Sequence, residues 1–126
     1  MFPEKRGKLY DGKDDLETVL KALGPLLEDD SLAKCGQNIK YDMVILRRHG
    51  IDVSGVQFDS MIAAHLLRPE LRSYKLDYLC EEHLHYRMQP ITDLIGTGKA
   101  QKKMDEVELE DVSFYAAEDA DVCLQL

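Results

Sequence analysis

Tyr115 and Asp119 lie four residues apart in Phe114–Leu126, a stretch with no Gly or Pro and rich in Ala and Leu. That composition predicts a helix, and on a helix residues four apart stack on one face. Val122 and Leu126 extend roughly the same face, so the pair sits beside a buried seam. A phenol and a carboxylate held side by side on a rigid helix can orient a water molecule and bind a metal ion. The same spacing also suits a tyrosine packed at a core edge beside a solvated aspartate. A second pair with the same spacing, Asn38 and Asp42, stands in Gly36-Gln37-Asn38-Ile39-Lys40-Tyr41-Asp42. Here the two readings are a ligand-binding turn, or a plain N-cap followed by a carboxylate that the helix dipole favours.

The elements around these pairs follow from pattern. Asp14 or Asp15 can cap a helix whose apolar positions are Leu16, Val19, Leu20 and Leu23, with Gly24-Pro25 breaking or kinking it. Leu32–Gly36 reads as a short buried strand. Asn38 then stands at the N-cap of a helix running from about Ile39 to His49, which Gly50 ends. This strand-turn-helix puts Asp42 in a first turn near a strand's C-terminal end, where α/β sheets bind ligands. Val53–Phe58, with Gly55 inside it, reads as a second short strand or edge segment. Asp59 or Ser60 caps the next helix, with Met61, Ile62, His65 and Leu66 facing inward and Pro69 ending it. Lys75–His83 is a further helix, and Pro90–Ile95 a helical turn with Pro90 at its first position. Gly96-Thr97-Gly98-Lys99 lacks the spacing of a phosphate-binding P-loop. His83-Leu84-His85 has no acid or cysteine to complete a metal site and reads as solvated.

In this order and context, the two pairs resemble the proofreading 3′–5′ exonuclease domain of bacterial DNA polymerase I. More broadly, they resemble the tyrosine-using branch of the exonuclease superfamily named for its four acidic residues. Asn38 and Asp42 match that family's second motif, Asn-x-x-x-Asp, and Tyr115 and Asp119 match its third, Tyr-x-x-x-Asp. The likeness runs from about Leu16 to Leu126 and includes Phe58-Asp59-Ser60-Met61 and Leu76-Asp77-Tyr78-Leu79.

The resemblance implies two divalent ions, Mg²⁺ or Mn²⁺, about 4 Å apart and serving both ends of an in-line phosphodiester hydrolysis. It assigns Asp119 to the ion carrying the nucleophile, Asp42 to the second ion largely through water, and Tyr115 to orienting the attacking water. It brings Gln37 and Asn38 to the terminal nucleotide and Ile91 beside the terminal base, where an aliphatic stacks weakly. It sets Lys99 and Gln101 on a glycine-lysine loop near the cleft, in the densest basic cluster of the chain. The family's first motif, Asp-x-Glu on an N-terminal strand, has no counterpart in Met1–Asp15, which hold no apolar strand. The expected fold is therefore a helix-rich α/β, partial ribonuclease H-like (exonuclease) fold with its N-terminal central strands missing. Residues 1–13 form a flexible segment and 14–126 the partial exonuclease domain. With half the metal ligands absent, the isolated chain is expected to bind the ions weakly or not at all and to be inactive. The expected partners are a single-stranded DNA 3′ end, the remainder of a polymerase polypeptide, and a second copy, since an uncovered strand invites self-association. The alternatives are an RNase D-like exoribonuclease and a degenerate exonuclease domain kept as a scaffold.

Bulk properties set bounds on these readings. At 126 residues the chain is one domain at most, and 44% hydrophobic with 32% charged residues suits a soluble globular chain. No apolar run approaches the roughly 20 residues of a membrane span, and no apolar segment follows the basic residues near Met1 as in a signal peptide. Cys35, Cys80 and Cys123 are scattered, without a Cys-x-x-Cys pair, and read as buried free thiols in a reducing cytoplasm. The net charge of −8 opposes tight nonspecific binding of nucleic acid. It suits an enzyme that grips a few terminal nucleotides and recruits cations.

Overall fold

The computed structural model of the chain describes residues 13–126. Among the described residues, six helices and two strands form a helix-rich α/β fold: α1 (Lys13–Glu28), β1 (Lys34–Gly36), α2 (Ile39–Arg48), β2 (Val56–Asp59), α3 (Ser60–Leu67), α4 (Leu76–Leu84), α5 (Ile91–Ile95) and α6 (Leu109–Gln125). Single 3₁₀ turns at Gly98–Ala100 and Met104–Glu106 join α5 to α6. β1 and β2 are parallel, with Cys35 opposite Phe58 and Gly36 opposite Asp59. A parallel pair needs a crossover, and α2 supplies it. The reading of residues 1–12 as a flexible segment lies outside the described residues, and Lys13 is already helical. Asp14 and Asp15 consequently stand in the first turn of α1 and not at its cap. The chain's one Asp-x-Glu spelling, Asp15-Leu16-Glu17, also falls inside α1.

The core lies between α4 and α6. Cys80, Met88 and Val122 are buried together, with Leu76, Leu84 and Leu126 packed against them. Leu79 is buried as completely as Cys80, a burial that contributes about 2 kcal/mol. The last helix starts at Leu109, earlier than its Phe114-led pattern suggested. Buried Val112 extends the apolar stripe backwards, so Val112, Tyr115, Asp119 and Val122 recur at helical spacing.

Several expectations change on the structure. Gly24-Pro25 does not break α1, which runs on to Glu28. Pro25 sits near the helix end, where its missing N–H removes only one interior bond, and Gly24 is buried against Ile51. β1 is shorter than Leu32–Gly36 and is not buried, because it has a single strand neighbour among the described residues. Leu32 and Cys35 are both exposed. Cys35 therefore departs from the buried-thiol reading that Cys80 fits. On α3, the half-buried positions are Met61, Ala63 and Ala64, while Ile62, His65 and Leu66 are exposed. His65 is held edge-on against the Tyr74 ring, with centroids 4.9 Å apart. Pro90 stands just before α5, whose first residue is Ile91. β2 begins at Val56, behind Gly55, whose φ of +70° and close approach to the Leu32 carbonyl leave no room for a Cβ. Gly50 ends α2 as expected. Its N–H bonds Arg47 O at 3.0 Å, while Ile51 N–H bonds Leu46 O at 3.1 Å, a Schellman closure.

The start of α2 is organised from outside. Asn38 occupies the N-cap position in the left-handed region (φ 57°, ψ 40°), and its side chain caps nothing. The cap is the carboxylate of Asp59. It accepts the N–H of Asn38 at 3.1 Å and of Ile39 at 2.8 Å, and those of Met61 at 2.9 Å and Ile62 at 3.2 Å at the start of α3. Burial pushes the Asp59 carboxyl up, but its four backbone donors together hold it below the ordinary 3.8. A folded value below the unfolded one stabilises the fold above pH 3.8, and that stability is lost as pH falls further. Asp59→Ala is expected to cost about 2 kcal/mol, roughly 1 per cap, measured by denaturant unfolding at neutral pH. In the same measurement, the gap between the wild type and Asp59→Asn narrows below pH 3.8.

Candidate active site

The start of α2 and the middle of α6 converge on one cleft of about 720 Å³. From α2 comes Asp42, one turn after the strand end that Asp59 ties down. From the half-buried edge of α6 come Tyr115 and Asp119. The floor of α6 is fixed by Val112 and Val122. Its outer side is fixed by Glu118, whose carboxylate accepts the Tyr86 hydroxyl at 2.6 Å and the Gln89 N–H at 2.8 Å. That anchor holds the Met88–Pro90 segment as the rim of the cleft, with Ile91 beside it. Glu118 and Asp119 are adjacent yet serve different ends, because a helix turns about 100° per residue. One braces a loop while the other faces the cleft.

The electrostatics of the pair are mutual. Burial pushes the Asp119 carboxyl up, and the nearby Glu118 and Asp77 carboxylates add to this, while hydrogen bonding with Tyr115 opposes it. Burial also raises the Tyr115 phenol above its ordinary 10.0, with Asp119 the next cause and Asp77 and Glu118 after it. The phenol therefore stays protonated at neutral pH and can donate a hydrogen bond to a water or a phosphate oxygen.

Of the residues singled out by sequence, the structure brings Asp42, Tyr115, Asp119, Gln37 and Ile91 together in this cleft. The Gln37 side chain is committed internally. Its Nε2 donates to Tyr74 O at 2.7 Å, and its Oε1 accepts the Ser60 hydroxyl. Asn38 lies on the adjoining turn, with its Oδ1 accepting from Lys40 Nζ, and does not line the cleft. Lys99 and Gln101 are exposed on the 3₁₀ turn after α5 and are likewise outside the lining. Sequence reasoning missed Lys75 and Asp77, which do line it. The available signal was Leu76-Asp77-Tyr78-Leu79, recognised as part of the resemblance but given no role.

The donor set bears directly on metal binding. Hard divalent cations take about six oxygen ligands. Among the described residues, no group of three or more Asp, Glu, His or Cys side chains is placed to hold an ion. Asp42 and Asp119, the two carboxylates that the resemblance assigns to the ions, both line the cleft, with Asp77 beside them.

A carboxyl raised on folding carries a stability signature. Its contribution is present below the ordinary 3.8 and is lost as pH rises through the folded value. Asp119→Asn, which removes the charge and keeps the shape, is expected to melt higher than the wild type at pH 7. That advantage shrinks as pH falls towards 3.8, as followed by thermal unfolding across a pH series.

Comparison with known proteins supplies the family. A family model described as 3′–5′ exonuclease matches residues 8–126. The chain is 38% identical over 120 residues to DNA polymerase I of Rhizobium leguminosarum, covering 95% of this chain and 12% of that protein. It is 36% identical over 114 residues to DNA polymerase I of Pseudomonas aeruginosa, covering 89% of this chain and 12% of that protein. Among solved structures, it is similar to the POL domain of Pol1 from M. smegmatis in complex with DNA primer-template and dNTP. That match has a TM-score of 0.52 and 26% identity, over 82% of this chain and 18% of that one. The chain thus spans about an eighth of the length of the curated relatives it matches. With Asp42 of one motif meeting Tyr115 and Asp119 of the other in one cleft, and a family match over nearly its whole length, the chain belongs to the 3′–5′ exonuclease domain family of bacterial DNA polymerase I.

Proposed function

We propose that the chain receives the 3′ end of single-stranded DNA as part of a 3′–5′ exonuclease within a larger DNA polymerase I polypeptide. The observation that carries this is the meeting of Asp42 from α2 with Tyr115 and Asp119 from α6 in a single open cleft. In this reading, Tyr115 donates its hydroxyl to a water at the scissile phosphate. Asp42 and Asp119 are this chain's share of a ligand set for divalent ions, Mg²⁺ or Mn²⁺, and further carboxylates come from outside these 126 residues. Ile91 lies beside the terminal base. Gln37 meets the terminal nucleotide through its backbone, since its side chain is engaged with Tyr74 and Ser60. Asn38, Lys99 and Gln101 contact the strand outside the cleft.

In this reading the chain by itself is inactive, because the two carboxylates of the family's first motif are supplied from elsewhere in the polypeptide. The same dependence supports a second reading, a module that holds DNA without hydrolysing it. Both are tested by one experiment. The chain, incubated with 5′-labelled single-stranded DNA and Mg²⁺ or Mn²⁺, leaves the 3′ end intact. A longer polypeptide, in which an Asp-x-Glu strand precedes these residues, shortens it. Asp119→Ala slows that digestion by about a thousandfold, the equivalent of about 4 kcal/mol of lost charge stabilisation. Digestion by the chain alone, abolished by Asp119→Ala, overturns the inactivity. No digestion by the longer polypeptide leaves the non-hydrolytic module.

A surface consequence accompanies this reading. No described helix is long and apolar enough to cross a membrane, yet Val19, Leu23 and Leu26 on α1 and Tyr41, Val44 and Ile45 on α2 are exposed. β1 also has one strand neighbour among the described residues. Exposed apolar faces and open strand edges promote association, so the chain self-associates in solution. Light scattering over a concentration series gives a mass that rises with concentration. A constant monomer mass contradicts this.

A further inference from the structure

The cleft poses an electrostatic problem. Its lining carries three carboxylates, Asp42, Asp77 and Asp119, in a chain of net charge −8. A phosphodiester entering it meets like charge. Among the residues lining the cleft, one cationic side chain opposes this, that of Lys75.

Its placement is fixed by the fold. Lys75 stands at the N-cap position of α4, and its carbonyl accepts the Leu79 N–H at 3.0 Å. Leu76, the next residue, packs against the Cys80–Met88–Val122 core. The backbone at Lys75 is thus held by α4, while its exposed side chain emerges at the cleft. Among the described residues, the ion pairs are Arg47–Asp52 and Arg68–Glu70, and no hydrogen bond engages the Lys75 ammonium. A cation without a partner beside three acids is placed to take an anionic ligand.

We propose that Lys75 binds a backbone phosphate of the DNA strand in the cleft and offsets the repulsion from its carboxylates. The role is one of grip, independent of base identity, because an ammonium reads a phosphate as a point charge. This rests on the reading of the cleft as a site for single-stranded DNA.

The test is equilibrium binding of the chain to short fluorescent oligo(dT) and oligo(dA), followed by anisotropy over a salt series. Lys75→Ala weakens binding about threefold or more for both oligomers. It also makes the slope of log K against log salt shallower by about 0.7, the share of one single-strand phosphate contact. Lys75→Arg restores both the affinity and the slope. Lys21→Ala, which removes an exposed lysine from α1, changes neither, and this separates a local contact from net charge. Wild-type binding with an unchanged slope in Lys75→Ala overturns the assignment and leaves the DNA reading standing. No binding by the wild type at low salt overturns the DNA reading of the cleft together with the proposal.

Discussion

A single carboxylate between two helix starts sets the geometry on which the site depends. The first N–H groups of a helix have no partner within it, and α2 and α3 both begin at the C-terminal end of the small sheet. Asp59, the last residue of β2, satisfies donors from both. Asn38 is left to adopt a left-handed backbone, which asparagine tolerates better than most residues. The turn from β1 into α2 is thereby closed against β2, and Asp42 comes round towards α6. Ser60 carries the linkage on. Its hydroxyl reaches Gly36 O at 3.3 Å and Gln37 Oε1, and it stands 3.9 Å from Cys123 Sγ on α6. Two consecutive residues therefore connect β1, α2, α3 and α6.

The other half of the site is a matter of packing. α6 packs Val122 into the core it shares with α4, with Leu126 just beyond its end, and also buries Val112. Tyr115 and Asp119 sit beside these residues, half-buried. Their position explains why burial heads the causes of both raised pKa values. The fold accepts a partly desolvated acid next to other carboxylates, an arrangement that binding of cations or of a proton relieves.

Much of this could be read from the residues alone. The helical spacing of Tyr115, Asp119 and Val122 placed the pair at a buried seam, and the seam is there. Gly50 ended α2 where its conformational freedom suggested. Local patterns misled where the neighbours of an element mattered more than its own residues. The short apolar run before Gly36 looked buried, but burial needs a covering layer, and β1 has one strand beside it among the described residues. α3 looked amphipathic, yet it meets its surroundings through Met61 and two alanines. Asn38 had the chemistry of a cap, but a carboxylate twenty-one residues away took that task.

By itself, the sequence determined which chemistry the chain could offer: two motif pairs at helical spacing, and an acidic balance that disfavours indiscriminate binding of nucleic acid. Spacing along a helix is local, so it survives reading without coordinates. Tertiary structure alone decided that Asp42 shares one cleft with Tyr115 and Asp119, that Asp59 caps the turn before Asp42, and that Lys75 and Asp77 join the lining. Those facts depend on contacts between residues far apart in the chain, and no local pattern encodes which distant groups will satisfy a buried donor or face a common space.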